Sequence, residues 1–371
     1  MAKVNYNNGI YYKICIFFLT ALEFLNVYSN AHNVYYKLPT VILGVLFFSF
    51  GIVHFIFNDF SLRKLIFIFS LFIILLISRF NTFFIVPLII AISFIEFTPF
   101  EVIKGYYFSN LYCLVATILL TLFGLSPLRN PNDGILSFGF ANENTLGLFM
   151  LLISSFYLLE IKRGNNHNKY YKVAFILLFI LMDLFVIDDR TVALVFFVFL
   201  LLSYLIKVQY GHLLKVICYI GCLLPAILTY SSWIVMKNYN NSSYFYYILN
   251  NVLSNRFLMW NWFYRNIPIS LFPNSLQVNR FNYWGTVDGS YAKMLLQSGI
   301  IITLIVCLLL ILCNILLIRH NYYDVFCLLF SLELGAFSEN ILQLPTIAYV
   351  IIFALMSLYP KWLDNSEKIT L

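Results

Sequence analysis

The residues best suited to chemistry lie in one polar stretch, 236–293, of an otherwise apolar chain. This stretch contains a single acid, Asp288, and fifteen aromatic residues, among them three of the five tryptophans. Basic side chains bind phosphate through charge-assisted hydrogen bonds. We therefore expect the stretch to hold an anionic ligand with apolar or sugar-like faces. Its cations are Lys237, Arg256, Arg265, Arg280 and Lys293.

The segment SNRFLMWNWFYR, 254–265, concentrates these groups. At helical spacing Arg256, Trp260 and an aromatic residue at 263 or 264 share a face, which predicts an amphipathic helix lying on the membrane. Arg256 would then contact a pyrophosphate, with the aromatic rings against the adjacent sugar or lipid. The alternative is interfacial anchoring, because tryptophan and tyrosine gather at membrane surfaces anyway.

The polar stretch ends in WGTVDGSYAKMLLQSGI, 284–300, where Asp288 lies between two glycines. A carboxylate near arginines stays ionised, so Asp288 could accept a proton from a sugar hydroxyl as a general base. The alternative role is an N-cap for the helix that begins near Tyr291. The two roles are compatible.

A short turn, VIDDRTVAL at 186–194, presents a further arginine, Arg190. Its guanidinium could bind phosphate through two parallel hydrogen bonds. The alternative is a local ion pair with Asp188 or Asp189 at a helix end. These two aspartates are also the only adjacent acidic pair that a metal-dependent mechanism could use.

Two more polar segments are expected at the same membrane surface. Asn142 and Asn144, in LSFGFANENTLGLF, could bind a sugar, although helix capping explains them almost as well. Glu339, in SENILQLPT, is expected outside the membrane and close to the same layer.

The rest of the chain is made of membrane-spanning helices. It has 371 residues, of which 62% are hydrophobic and 11% charged, whereas soluble domains carry roughly 25% charged residues. About twelve apolar runs approach the length of roughly 20 residues that a membrane-spanning helix needs. They are 10–28, 38–57, 63–78, 81–97, 108–126, 143–161, 171–187, 191–208, 213–235, 292–318, 322–337 and 345–360.

The basic residues predict the orientation of these spans. With the N-terminus in the cytoplasm, fourteen of the 23 lysines and arginines fall on the cytoplasmic side and nine outside. Five of the nine lie in 236–293, against the bias that favours cytoplasmic positive charge. A functional site is therefore expected at the outer face, with both termini in the cytoplasm.

These four segments, in this order, resemble those of the Wzy-type O-antigen and capsule polymerases, and more broadly of the O-antigen ligase superfamily. The motifs are short, and their order and topology carry the resemblance. The matching residues are FANENTLG at 140–147, Arg190 with Thr191, Arg256 with Trp260, and Asp288 with Tyr291 and Gly299.

The resemblance implies an all-α polytopic membrane protein of about twelve transmembrane helices. Residues 1–371 would form one integral membrane domain, and the long extracytoplasmic loop 236–293 would carry short amphipathic helices. Such enzymes join undecaprenyl-diphosphate-linked oligosaccharide repeat units at the outer face of the bacterial cytoplasmic membrane. The product is O-antigen, capsule or exopolysaccharide, and neither a metal nor another cofactor is expected.

The resemblance also implies roles for single residues. Arg190 and Arg256 would neutralise the leaving diphosphate, and Asp288 would take the proton of the acceptor hydroxyl. Besides the donor, the acceptor and membrane lipids, candidate partners are a flippase and a chain-length regulator; no nucleic acid is expected. The substrate-binding residues would be Asn142, Asn144, Trp260, Arg265, Arg280, Tyr291 and Glu339.

Three other functions stay open on the sequence alone. The first is an O-antigen ligase, although ligase relatives often carry a histidine at the end of the long loop and this chain has none there. A transporter of lipid-linked oligosaccharides would also be polytopic and basic, but its charges would line a path through several spans. The third is a metal-dependent glycosyltransferase that uses Asp188 and Asp189.

The orientation predicts where the loop can be labelled. Cysteines introduced at Asn241 and Asn274 should react in intact cells with a membrane-impermeant thiol reagent, because both positions belong to the outer loop. Labelling that requires permeabilised cells would reverse the topology and remove the site from the outer face.

Overall fold

Apolar runs separated by short polar turns form a bundle of α-helices in the computed structural model of this chain. The structure describes residues 6–32, 37–57, 61–79, 82–129, 134, 136–164, 168–182, 185, 190–207, 211–240, 242–274, 287–359 and 363. Within these ranges no β-strand occurs, and one isolated antiparallel bridge pairs Arg129 with Leu136. The prediction of an all-α protein is confirmed for this part of the chain.

The first eight predicted spans each correspond to a helix. The fifth begins well before the predicted residue 108, because Thr98 and Glu101 cap each other's backbone N–H groups in a capping box. The eight helices are α1 (Tyr6–His32), α2 (Lys37–Phe57), α3 (Leu62–Ile77), α4 (Thr82–Phe94), α5 (Pro99–Leu122), α6 (Glu143–Lys162), α7 (Lys169–Met182) and α8 (Arg190–Lys207).

The second half of the chain is less regular. The ninth predicted span is divided in two near Cys222, and a π-helical turn, Met294–Ser298, interrupts the tenth. The helices are α9 (Gly211–Gly221), α10 (Leu224–Asn238), α11 (Tyr244–Val252), α12 (Arg256–Asn266), α13 (Ser290–Lys293), α14 (Gly299–Arg319), α15 (Tyr323–Gly335) and α16 (Val350–Met356).

Among the described residues, five stretches of helix are long and apolar enough to cross a bilayer. This makes the chain a helical membrane protein, while the full set of twelve spans stays a prediction. The five are Gly9–His32, Leu38–Phe55, Pro99–Leu122, Glu143–Lys162 and Ser290–Arg319.

In the twelfth predicted span, 345–360, the helix among the described residues 345–359 is the short α16, every residue of which is buried. The segment 336–349 before it is irregular apart from one 3₁₀ turn, Ile341–Gln343. Irregular backbone is tolerated at membrane depth only where protein groups satisfy it. Here the Tyr106 hydroxyl donates to the carbonyl of Pro345 at 2.6 Å, and the Asn110 amide donates to that of Ile347 at 3.3 Å.

The helix that follows the long loop is broken at Gly299, whose φ is +80°. The backbone N–H groups of Ile300 and Ile301 donate to the carbonyls of Ser270 and Leu271. A Cβ at Gly299 would lie 2.7 Å from the Phe272 carbonyl oxygen. Glycine at position 299 therefore allows residues 270–272 to lie close enough to cap the first backbone N–H groups of α14.

The long loop has a hydrophobic core of its own, separate from that of the helix bundle. The helix α12, which could lie on the membrane as an amphipathic segment, packs its buried face into this core. The residues that form this loop core are Met236, Tyr239, Phe257, Trp260, Phe263, Ile267, Val287, Ala292, Leu295 and Leu296.

The contact between α5 and the irregular segment can be tested with Tyr106→Phe. This change leaves the Pro345 carbonyl without its donor in a buried site, so we expect the free energy of unfolding to fall by about 1–3 kcal/mol. Thermal unfolding in detergent measures the loss. Tyr112→Phe, on the exposed side of the same helix, is the control, and equal stability of the two variants would contradict the account.

Candidate functional site

Four segments that are distant in sequence meet around a cavity of about 60 Å³, here called the polar cavity. They are the start of α6, the start of α8, the end of the long loop and the irregular segment 336–349. The polar side chains that line it are Asn142, Asn144, Thr145, Thr191, Asp288, Glu339 and Asn340, and Leu148, Leu151, Val192, Val195, Ile341 and Leu344 complete its wall.

Asn142 places the start of α6 at the cavity. It is the N-cap residue, and its Oδ1 accepts hydrogen bonds from the Thr145 backbone N–H at 2.8 Å and the Thr145 hydroxyl at 2.7 Å. The capping interpretation of Asn142 is therefore confirmed, and the residue lines the cavity as well. Asn144, one position into the helix, reaches across the cavity to Glu339.

Ser290 joins the end of the loop to the irregular segment. Its backbone N–H donates to the carbonyls of Ala336 and Glu339 at 2.8 and 3.0 Å, and its hydroxyl donates to the Glu339 carbonyl at 2.8 Å. The same hydroxyl accepts from the Leu342 N–H at 3.0 Å, and the Ser290 carbonyl accepts from the Gln343 amide at 3.1 Å. This Ser290 junction places the side chains of residues 288 and 339 on one cavity.

Asp288 is supported from two sides. The indole N–H of Trp260 donates to its backbone carbonyl at 2.5 Å, and the side-chain amide of Asn340 donates to Oδ1 at 2.9 Å. The next residue, Gly289, has φ +91°, and a Cβ there would lie 2.5 Å from the Trp260 ring. Gly289 is the N-cap of α13 and receives no side-chain cap, so Asp288 does not cap this helix.

Arg256, on α12, contacts the wall of the polar cavity at Glu339. Its guanidinium pairs with the Glu339 carboxylate through Nη2 and Oε1, and the Asn144 amide donates to Oε2 of Glu339 at 3.2 Å. The Arg256 and Glu339 side chains are 9% and 12% exposed. At such low exposure water screens the pair weakly, so each charge depends on the other.

Among the described residues, the electrostatics of the site combine two acids with two cations. Besides Arg256, Lys293 is attracted electrostatically to Asp288. The Nε atom of Arg256 is buried and makes no hydrogen bond within the described structure. The Nε–H group of Arg256 is therefore available to donate to a further acceptor while Nη2 contacts Glu339.

The predicted site residues fall into three groups. Asn142, Asn144, Asp288 and Glu339 line the polar cavity, and Arg256 pairs with one of its walls. Trp260 and Tyr291 are completely buried; Trp260 supports Asp288, and the Tyr291 hydroxyl donates to the Glu333 carbonyl at 3.3 Å. Both therefore position the site instead of facing it. The third group is not placed at the polar cavity. Arg265 borders a different cavity. The Arg190 side chain, Arg280, Asp188 and Asp189 lie outside the described residues.

Two residues of the site were missed by sequence reasoning. Ser290 and Asn340 look like ordinary polar residues next to Asp288 and Glu339, and no local pattern marks either. Their roles arise from the contact between segments 50 residues apart, which the sequence does not display.

Comparisons of the chain with known proteins found no match among protein families, curated proteins or solved structures.

The Arg256–Glu339 pair can be tested with a double-mutant cycle. Arg256→Gln or Glu339→Gln alone leaves a buried charge without its partner, so each should lower the free energy of unfolding by about 3–5 kcal/mol. The double variant should lose much less than the sum, as measured by thermal unfolding in detergent. Strictly additive losses would show that the two side chains do not interact.

Proposed function

We propose that this protein is a membrane glycosyltransferase that polymerises lipid-linked oligosaccharides. It would join undecaprenyl-diphosphate-linked repeat units into O-antigen, capsule or exopolysaccharide at the outer face of the bacterial cytoplasmic membrane. The supporting observation is the convergence of Asn144, Arg256, Asp288 and Glu339 at one polar cavity. Asn144, Arg256 and Asp288 lie in the segments whose order resembles the polymerases.

Arg256 is suited to neutralise a diphosphate. Its guanidinium is held in the protein by a carboxylate and keeps a buried Nε–H donor. Negative charge grows on the diphosphate as its bond to the sugar breaks, and a preorganised cation stabilises that transition state. Arg190, the first residue of α8, would add a second cation.

Asp288 is suited to accept the proton of the attacking hydroxyl. Its carboxylate lines the polar cavity and is oriented by Asn340. The hydroxyl oxygen of the acceptor would bond to the anomeric carbon of the donor while the bond from that carbon to the diphosphate oxygen breaks. The lipid diphosphate leaves with the electron pair, and the hydroxyl proton passes to Asp288.

The polar cavity must widen before a sugar can enter. Its volume of about 60 Å³ is far below the roughly 300–1,000 Å³ of pockets that hold drug-sized ligands. Glu339 lines the cavity and is paired with Arg256. An incoming diphosphate would compete with Glu339 for the guanidinium, so substrate binding and opening would occur together. Glu339 and Asn144 would then be available to sugar hydroxyls.

The proposal predicts which variants lose activity. In liposomes supplied with synthetic lipid-linked repeat units, Arg256→Ala should polymerise about 10²–10³ times more slowly. Arg256→Lys should recover little, because an ammonium cannot form two parallel hydrogen bonds. Asp288→Asn should be nearly inactive yet still bind substrate, since it removes the proton acceptor and keeps the shape. Polymer length and released lipid diphosphate are the measurements.

Arg319→Ala, at the exposed end of α14, is the matched control and should retain activity. Wild-type activity should also survive EDTA, because arginine can meet the diphosphate charge without a metal. Well-folded Arg256→Ala and Asp288→Asn proteins that make normal polymer would reject the mechanism. Loss on chelation with rescue by magnesium would favour the alternative with Asp188 and Asp189.

A further inference from the structure

A groove of about 810 Å³ lies between α10, α12 and α14, and the proposed reaction does not use it. Most of its wall is apolar or aromatic, with Tyr230 and Trp233 from α10 and Ile300 and Leu304 from α14. Arg265, near the end of α12, is the charged residue among the described residues that line it. We call this feature the lipid groove for the reasons that follow.

The groove opens onto exposed apolar surface beside a candidate membrane span. Leu304 and Ile300 belong to Ser290–Arg319, which is long and apolar enough to span a membrane. Their exposed fractions are 55% and 37%, and that of Tyr230 is 59%. Hydrocarbon can therefore reach the groove laterally from the membrane, and apolar surface of this kind is stable there.

Positive charge lies at the loop end of the groove. Arg265 is exposed, and the Lys237 ammonium lies 5.5 Å from the centre of the Trp233 ring. Basic residues at a membrane surface attract anionic headgroups. A guanidinium next to an apolar channel matches a molecule with a phosphate head and hydrocarbon chains.

None of the described side chains that line the groove is an amide or a carboxylate; besides Arg265, its polar side-chain groups are hydroxyls, the Cys307 thiol and the indole N–H of Trp233. The Thr229 hydroxyl donates to the Pro225 carbonyl at 2.8 Å and lies 3.0 Å from the Cys307 sulfur, so protein atoms already engage it. The polar cavity, in contrast, combines amides, carboxylates and hydroxyls. This difference indicates that the groove recognises a lipid by its negative charge and apolar chains and not by one particular headgroup.

We propose that the lipid groove binds an anionic phospholipid of the surrounding bilayer. The acyl chains lie between α10 and α14, against Trp233 and Leu304, and the phosphate contacts Arg265. The bound lipid fills the space beside α12 and so supports the helix that presents Arg256. This inference does not depend on the polymerase proposal.

Quenching of Trp233 fluorescence tests the binding. The protein is placed in phosphatidylcholine bilayers that contain phosphatidylglycerol, with bromine on the acyl chains of one lipid or the other. Brominated phosphatidylglycerol should quench more per molecule, by roughly fivefold for one cation at the membrane surface. The excess should disappear in Trp233→Phe, which shows that it arises in the groove and not at the other four tryptophans.

Arg265→Gln should also abolish the preference for phosphatidylglycerol, whereas Arg319→Gln, an exposed arginine at the far end of α14, should keep it. Ala226→Phe places a ring in the groove from its exposed side, and native mass spectrometry should then show loss of the bound phospholipid. Equal quenching by the two lipids in the wild type would overturn the proposal. Recovery of a polyprenyl phosphate in place of phospholipid would do so as well.

Discussion

The arrangement of the site depends on the Ser290 junction. One serine donates through its backbone and its hydroxyl to the irregular segment, and accepts from that segment's Leu342 N–H. These bonds lie in a buried place, where an unmade hydrogen bond is expensive. They therefore fix the register between the loop end and residues 336–344. Asp288 and Glu339 reach the same cavity because they flank this junction.

The irregular segment can stay inside the bundle because other elements satisfy its backbone. Tyr106 and Asn110 bind its carbonyls from α5, and Gln343 returns a hydrogen bond to Ser290. Polar side chains on a membrane-spanning helix are costly unless they find partners. Here their partners are backbone groups that helix formation would otherwise have satisfied. At the site, side-chain donors thus replace the backbone N–H groups that would bind these carbonyls in a helix.

Much of the fold could be predicted from the sequence, because long apolar runs have few alternatives in a bilayer. Local pattern is less informative where tertiary contacts shape the backbone. Within the predicted span 345–360, the described residues 345–359 form turns and the short buried helix α16, and α5 binds the carbonyls of Pro345 and Ile347. For the site, Arg256, Asp288 and Glu339 could be selected as unusual charges outside the spans. The contacts of Asp288 with Asn340 and of Glu339 with Ser290 could not be predicted, since they join segments that are distant in sequence.

The central claim is that segments far apart in sequence form one site for a lipid-linked diphosphate sugar. The most direct measurement is photo-crosslinking with an unreactive lipid-linked oligosaccharide that carries a diazirine on its first sugar, followed by mapping of the labelled peptides. The account predicts label in 142–148, 287–290 and 336–344, and its loss with excess unlabelled substrate. Label confined to other surfaces, or insensitive to competition, would contradict the account.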